Sequence, residues 1–306
     1  MTEEVLVTRG LTKRYGEQRA VDDVSIRMER GRVYGLIGSN GAGKTTLMRM
    51  ISGLAIPTAG TISLFGSDAE RPRQQDLARI GTLIETPTPY GAMTARQNMH
   101  VHRLIRGVPD PNVETELLEL VGLADTGRKR VSNFSLGMRQ RLGIALALIS
   151  APELLVLDEP VNGLDPAGVV EVRRLIRDLA IERGITVLLS SHNLPELYQT
   201  ATDYIIVDRG AVRRTLTLAE LDAQTQRFLR IEAPDTERLT TVLEQGLGTS
   251  DFTVMPDRSV RLTSHLDDAE SVLRTLVRQD VWPTAFSPEG ESLESFFLTV
   301  TGAGRS

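Results

Sequence analysis

One stretch decides the fold of this 306-residue chain: Gly38-Ser39-Asn40-Gly41-Ala42-Gly43-Lys44-Thr45-Thr46. It matches the pattern G-x-x-x-x-G-K-[ST], in which glycines let the backbone turn its N–H groups toward a phosphate. The apolar run Val33–Ile37 precedes it and a helical pattern begins at Lys44, which is the strand–loop–helix context that the pattern requires. We therefore predict a phosphate-binding loop, with the phosphates at the N-terminus of a helix.

Two side chains of this loop are expected to act directly on a nucleotide. Lys44 should bridge the β- and γ-phosphates, and the Thr45 hydroxyl should ligate Mg²⁺. The other expected phosphate-binding residues are Ser39, Asn40, Gly41, Ala42, Gly43 and Thr46. Lys44 is one of three lysines, with Lys13 and Lys129, in a chain otherwise rich in arginine. Because a guanidinium is not equivalent to an ammonium, arginine would not replace Lys44 in this role.

The pattern of apolar runs predicts the architecture around the loop. Five runs that read as strands alternate with helical patterns up to about residue 210: Val33–Ile37, Arg79–Ile84, Leu154–Asp158, Thr186–Ser190 and Tyr204–Asp208. This alternation predicts an α/β fold with a largely parallel sheet. Between about 86 and 150 the patterns are helical only, so a helical lobe should interrupt the sheet.

The C-terminal part of the chain has a separate pattern. After a linker over 216–226, it reads strand, helix, strand, strand, helix, strand from Phe228 to Phe286. That order is typical of a small α+β, ferredoxin-like unit. We therefore expect a nucleotide domain over 1–215 and an accessory domain over 227–306, in which no catalytic group of residues is visible.

Composition, net charge and the lengths of the apolar stretches argue against several kinds of site and partner. The chain has no cysteine, which rules out disulfides and thiolate metal sites. Its net charge of −5 argues against a nucleic-acid partner, which usually requires a basic excess. The N-terminus is acidic where a signal peptide should be basic, and no apolar stretch approaches the roughly 20 residues that span a bilayer. A membrane role should therefore come through a partner protein.

Two carboxylates follow directly after the buried run Leu154–Leu157, at the sheet edge where α/β proteins bind ligands. Asp158 is the candidate for holding Mg²⁺ through water, and Glu159 is the candidate general base for the attacking water. Alone, such a pair is often only the polar end of a strand. Beside the loop that contains Lys44, it indicates a hydrolytic site.

His192 and Ser135 are weaker candidates when each is considered by itself. His192 follows another predicted strand and could bind the γ-phosphate or orient the water, although a histidine there is more often a plain surface residue. Ser135 is placed as the N-cap of a helix, with Met138 where a capping-box glutamate would stand. We expect this to leave the Ser135 hydroxyl and the first-turn N–H groups free for an anion, although the segment alone reads as an ordinary capped helix.

Taken together, these residues resemble the nucleotide-binding subunit of an ATP-binding cassette (ABC) transporter over about residues 4–225. Six motifs occur in the family's order: Tyr15 as the aromatic residue that stacks on adenine, Gly38–Thr46 as Walker A, Ser135–Met138 as the signature, Leu154–Glu159 as Walker B with the catalytic glutamate, Asn162–Asp165 as the D-loop and His192 as the switch histidine. The resemblance implies a P-loop ABC ATPase fold with an antiparallel β subdomain beside the parallel sheet.

The resemblance also implies cofactors and partners. ATP and Mg²⁺ would be bound by a homodimer, or by a pair with a related ATPase subunit, that sandwiches two ATP molecules. Ser135 and Gly137 of one subunit would contact the γ-phosphate held by Lys44 of the other. The helical lobe would bind a separate transmembrane permease at the cytoplasmic face of the cell membrane.

Two motifs depart from the family's usual pattern. The signature L-S-G-G-Q is replaced by Phe134-Ser135-Leu136-Gly137-Met138, which keeps the serine and the second glycine. Glu85 stands where glutamine is usual; its carboxylate offers only acceptors but binds Mg²⁺ more strongly, so Glu85 is a candidate metal contact or a silent variation. Together with the tail 291–298, these departures resemble bacterial exporters for bacitracin and lantibiotic self-protection.

The function predicted from the sequence is therefore an ATP-hydrolysing motor subunit that drives export of a drug or an antimicrobial peptide. One alternative is a soluble ABC ATPase that acts on ribosomes or DNA, although those usually carry two cassettes or a long coiled-coil insertion. Another is a non-enzymatic, ATP-gated regulatory module, against which Glu159 and His192 argue.

Overall fold

The computed structural model describes residues 3–67, 72–85, 89–225, 227–290 and 292–301. Residues 86, 226 and 291, which lie at the edges of predicted segments, fall outside these ranges. The chain forms two compact units, Met1–Leu218 and Ala219–Ser306. A helix, Leu218–Thr225, begins at the boundary between them.

The elements of the first unit are, in chain order, β1 (Glu4–Tyr15), β2 (Gln18–Val24), β3 (Arg27–Glu29), β4 (Val33–Ile37), α1 (Lys44–Ile51), β5 (Ala59–Leu64), α2 (Gln74–Leu77), β6 (Ile80–Leu83), α3 (Ala95–Ile105), α4 (Asn112–Leu120), α5 (Leu136–Leu148), β7 (Leu154–Leu157), α6 (Pro166–Arg183), β8 (Thr186–Ser191), α7 (Leu194–Tyr198), β9 (Asp203–Asp208) and β10 (Ala211–Thr217). The helix at the boundary is α8.

The central sheet has the strand order β10-β9-β4-β8-β7-β6. The five strands β9, β4, β8, β7 and β6 run parallel, and β10 pairs antiparallel with β9. Every residue of β4, β7 and β8 is buried, as expected for apolar strands covered on both faces. The predicted α/β fold with a largely parallel sheet is confirmed.

A second, antiparallel sheet precedes the helical part of this unit. Strand β1 pairs with β2, β3 and β5, which confirms the expected antiparallel subdomain. Its buried side chains, such as Leu6 and Met28, share one core with Leu47 and Met48 of α1. The helix that follows the phosphate loop is therefore fixed by apolar packing.

The helical lobe consists of α3, α4 and α5, which lie between β6 and β7 in the chain. Glu114 of α4 ties the lobe together, because its Oε1 accepts from Arg103 Nε at 2.6 Å and lies 3.0 Å from His100 Nδ1. Burial by itself would raise the pKa of Glu114, but its hydrogen bonds with Arg103 and His100 lower it. None of the helices among the described residues is long and apolar enough to span a membrane.

The second unit contains β11 (Phe228–Glu232), α9 (Thr236–Gly246), β12 (Phe252–Val254), β13 (Val260–Leu262), α10 (Ala269–Arg278), β14 (Ala285–Glu289) and α11 (Leu293–Thr301). Its antiparallel sheet has the order β12-β13-β11-β14, so the predicted β-α-β-β-α-β pattern is confirmed. The last strand begins at Ala285 rather than Trp282, because Trp282 is exposed and Pro283 has no N–H to donate to a ladder.

Candidate active site

The phosphate loop joins β4 to α1, and close backbone packing explains its glycines. At Gly43, the N-cap of α1, φ is 103°, and a Cβ would lie 2.3 Å from the Ala20 carbonyl oxygen. At Gly38 a Cβ would lie 2.4 Å from the Val207 carbonyl oxygen. A side chain at either position would displace β2 or β9 from the loop. The loop can therefore keep its shape only with glycine at these positions.

Lys44 is folded back over this loop. Its Nζ donates to the carbonyl oxygens of Gly38 at 2.7 Å and Ser39 at 3.2 Å, and lies 3.8 Å from Glu159 Oε1. Burial lowers the pKa of Lys44, and the carboxylates of Glu159 and Asp158 oppose that shift. The result is a buried cation close to two carboxylates, at the start of a helix whose first N–H groups have no partners within the helix.

Asp158 is held by a hydroxyl group on each of its oxygens. Thr45 Oγ1 donates to Oδ2 at 2.7 Å, and Ser190 Oγ donates to Oδ1 at 2.6 Å. Hydroxyl and carboxylate oxygens are the ligands that Mg²⁺ prefers, so Thr45 and Asp158 fit this ion. Sequence reasoning missed Ser190; the available signal was its position near the end of the buried strand β8, which pairs with β7, the strand that Asp158 follows.

Glu159 has an unusual backbone conformation. Its φ is 49°, in the left-handed region that non-glycine residues rarely adopt. Its N–H donates to Ser190 Oγ at 2.8 Å, and its Oε2 lies 2.9 Å from His192 Nδ1. The carboxylate thus lies between His192 and Lys44, and 22% of the side chain is exposed, so water can reach it. Such a carboxylate can accept a proton from water.

Tyr15 lies at the end of β1, in the turn that leads to β2. Its ring is half exposed, and the Lys13 ammonium lies 5.0 Å from the ring centroid. The following strand β2 contains Ala20, whose carbonyl packs against Gly43 of the phosphate loop. An accessible aromatic face is therefore present on the hairpin that borders the loop.

The signature segment forms the start of α5, with Ser135 as its N-cap. The expectation that all first-turn N–H groups are free is wrong, because the Met138 N–H donates to Ser135 Oγ at 3.2 Å. A serine N-cap satisfies this group even without a glutamate at the third position. The hydroxyl hydrogen of Ser135 remains able to donate. At Gly137 a Cβ would meet only Leu164 Cδ2, at 3.8 Å.

Five of the predicted site residues come together, whereas the signature segment has other neighbours. Lys44, Thr45, Asp158, Glu159 and His192 form one connected cluster at the carboxyl ends of β4, β7 and β8. The start of the signature segment lies against the predicted D-loop instead. A Cβ added to Gly163 would be 3.0 Å from Leu136 Cδ2.

Glu85 follows β6, with φ of 67°. Its carboxylate forms an ion pair with Arg49, on the helix that begins at Lys44. The side chain is 61% exposed, so other groups can compete for it. Its contact with a metal ion stays a prediction.

Comparison with known proteins identifies the family. The sequence model of the ABC transporter family matches residues 21–162. The bacitracin transport ATP-binding protein BcrA of Bacillus licheniformis is 39% identical over 300 residues, which cover 98% of this chain and 98% of that protein. The lantibiotic transport ATP-binding protein SrtF of Streptococcus pyogenes is 43% identical over 201 residues, which cover 66% of this chain and 85% of that protein.

A solved structure shares the fold of most of this chain. It is a dimeric ATP-binding cassette in a post-hydrolysis state with ADP and Pi, with a TM-score of 0.63 at 22% identity over 70% of this chain and 98% of that one. The nearly full-length match to BcrA agrees with the clustering of Lys44, Glu159 and His192 in this chain. The chain belongs to the ABC transporter family, as an ATP-binding and ATP-hydrolysing subunit.

Proposed function

We propose that this subunit hydrolyses MgATP at a site completed by a second subunit and so powers efflux of a drug or an antimicrobial peptide. The observation that carries the hydrolytic part is the position of Glu159, whose carboxylate lies between the Lys44 ammonium and the His192 ring. A carboxylate held from both sides is oriented before substrate arrives, which is what a general base requires.

In the proposed mechanism, Glu159 accepts a proton from the attacking water. The water oxygen forms a bond to the γ-phosphorus while the bond to the bridging oxygen breaks, which releases ADP and phosphate. Lys44 neutralises the β- and γ-phosphate oxygens, and His192 orients Glu159 and stabilises charge on the γ-phosphate. Mg²⁺, held by Thr45 and Asp158 and by Glu85 in a nucleotide-bound state, would supply further charge neutralisation.

Adenine would stack on Tyr15, and the triphosphate would bind the loop Ser39–Thr46 mainly through backbone N–H groups. Two subunits, as a homodimer or a pair with a related ATPase, would enclose two ATP molecules. Ser135 and Gly137 of each subunit would meet the γ-phosphate bound by the other. The exposed Ser135 and the open space at Gly137 support this arrangement, because both can approach another molecule without clashes.

The export role rests on the relatives, whose names assign them to bacitracin and lantibiotic transport. We infer a separate transmembrane permease, bound through the helical lobe at the cytoplasmic face of the membrane. The domain over 227–306 would regulate or stabilise the dimer. Deletion of this domain tests that role. Dimerisation and ATPase activity that are unchanged by the deletion would contradict it.

Glu159→Gln tests the proposed hydrolytic site. The amide cannot accept the proton, so we expect phosphate release to fall by about a hundredfold or more. ATP binding should persist, and gel filtration with ATP should show a stable dimer. Wild-type phosphate release by Glu159→Gln would contradict the assignment of the base. Absence of phosphate release from the wild-type protein would favour the regulatory alternative instead.

A further inference from the structure

Ser190 carries a buried hydroxyl group near the end of β8. Every residue of this strand is buried, and Ser190 is 0% exposed. A buried hydroxyl group destabilises a fold unless it forms hydrogen bonds. The hydrogen-bond partners of Ser190 therefore indicate why a polar side chain stands at this position of the strand.

Both partners of Ser190 follow the neighbouring strand β7. Asp158 Oδ1 accepts from Ser190 Oγ at 2.6 Å, and the Glu159 N–H donates to the same Oγ at 2.8 Å. Because an ionised carboxylate can only accept, the hydroxyl hydrogen points to Asp158 and a lone pair of the oxygen points to Glu159. One hydroxyl group thus connects the expected magnesium ligand with the expected base.

The hydrogen bond to Glu159 forms where the chain leaves the sheet after β7. The Asp158 N–H still donates to the Leu83 carbonyl oxygen of β6, at 2.8 Å. The next N–H, that of Glu159, donates to the Ser190 hydroxyl instead, and the Glu159 carbonyl oxygen accepts from the Asn162 N–H at 3.1 Å. Ser190 and Asn162 therefore hold the backbone of Glu159 from both sides.

This backbone conformation determines where the Glu159 carboxylate lies. Its φ of 49° is unfavourable for a residue with a Cβ, and such a conformation persists only where the surroundings impose it. Without a fixed partner for its N–H, Glu159 would be able to relax to a more favourable φ. Its carboxylate would then leave the position between Lys44 and His192.

We infer that Ser190 is a positioning residue for ATP hydrolysis, and that it acts through the backbone of Glu159. This inference rests on the proposed role of Glu159 as the base and adds the residue that holds it in place. Loss of the Ser190 hydroxyl should therefore slow the hydrolytic step and leave ATP binding unchanged.

The experiment compares Ser190→Ala with the wild-type protein at saturating ATP and Mg²⁺. We expect phosphate release to fall about tenfold, because a displaced base is less often oriented for reaction. The ATP concentration for half-maximal release should stay within about twofold of wild type, and Ser190→Thr, which keeps the hydroxyl, should retain most of the activity. The matched control is Thr186→Val, which removes a buried, hydrogen-bonded hydroxyl from the other end of β8 and should not alter phosphate release.

The Glu159→Gln protein provides a second background, in which no carboxylate is left to position. Its residual hydrolysis is measured with radiolabelled ATP in single turnovers, with and without Ser190→Ala. Loss of Ser190 should cost about threefold or less in this background, because the two changes remove the same effect. Ser190→Cys keeps the shape of the side chain with a weaker donor and acceptor, and it replaces Ser190→Ala if that variant does not fold.

Wild-type phosphate release by Ser190→Ala would overturn the inference. An equal loss in the wild-type and Glu159→Gln backgrounds would also overturn it, as would an equal loss in Thr186→Val. If Glu159→Gln itself releases phosphate at the wild-type rate, the proposed base fails and this inference fails with it. If Glu159→Gln is inactive and Ser190→Ala is fully active, only the role of Ser190 fails.

Discussion

His192 Nδ1 lies 2.9 Å from Glu159 Oε2, although the two residues are 33 positions apart in the chain. The strands β7 and β8 are parallel neighbours, so residues that follow their carboxyl ends meet at one edge of the sheet. Ser190 strengthens this relationship, because its hydroxyl accepts from the Glu159 N–H and donates to Asp158. Strand pairing therefore brings together Glu159, the proposed base, and His192.

His192→Ala is expected to lower phosphate release by at least about tenfold, because Glu159 loses the group that orients it. ATP binding should stay within about twofold of wild type, since His192 is not part of the phosphate loop. Fluorescent-nucleotide binding and phosphate release measure the two quantities separately. His192→Gln, which can still donate to Glu159, should retain more activity than His192→Ala. Equal activity of the wild type and both variants would contradict the role of His192.

Asp158→Asn and Thr45→Ala should each raise the Mg²⁺ concentration needed for half-maximal phosphate release by about tenfold or more. Each change removes or weakens an oxygen ligand of the ion. Ser190→Ala leaves both ligands in place and removes the hydrogen bonds of Ser190 to Asp158 and to the Glu159 N–H, so its effect on the Mg²⁺ dependence should be smaller. A Mg²⁺ dependence that is unaltered in Asp158→Asn would exclude this carboxylate from the metal site.

Glu153 is predicted to make stability depend on pH. It pairs with Arg79 and Arg30, and the hydrogen bond from Arg79 is the main reason that the pKa of Glu153 falls from 4.5 to about 2. A carboxyl whose pKa is lower in the folded state stabilises the protein above pH 4.5. That contribution is lost as the pH falls from about 4.5 to about 2.

Glu153→Gln should therefore lower the free energy of unfolding at pH 7 by about 1–2 kcal/mol, after allowance for solvent screening. Chemical denaturation at pH 7 and at pH 3 measures the difference, which should shrink at the lower pH. Glu182→Gln, at an exposed position of α6, is the control. A loss of the same size at both pH values would show that packing, not charge, is responsible.

The sequence predicted this fold well because its strongest signals are local. The buried run Val33–Ile37, the glycines after it and Lys44 are contiguous, and each stands where its element requires it. Glu159 and His192 follow other buried strands, so parallel pairing was enough to bring them together. The boundaries of the five predicted strands of the central sheet agree with the structure to within one residue, whereas β10 was not predicted.

The features that the sequence did not predict depend on contacts between residues that are far apart in the chain and belong to no motif. The Arg49–Glu85 ion pair joins positions 36 residues apart, and neither residue type indicates the other. In the sequence, Ser190 is an ordinary strand residue. Only the pairing of β7 with β8 places it beside Asp158. The hydrogen bond from the Met138 N–H to Ser135 Oγ depends on the backbone angles at the helix start. The absence of a glutamate at position 138 gave no indication of this hydrogen bond.

The central claim is that each ATP site is made by two subunits, and a mixing experiment tests it most directly. Lys44→Ala removes phosphate binding from one side of the site. Gly137→Asp adds a negative charge on the other side, where the subunit itself has room for a Cβ. Each variant alone should be inactive in phosphate release.

Equal mixing should produce heterodimers in which one site pairs an intact Lys44 with an intact Gly137. Half of the dimers would then carry one working site of two, so we predict about a quarter of wild-type phosphate release from the mixture. Wild-type activity of Gly137→Asp alone, or a mixture no more active than its components, would contradict a site shared between two subunits.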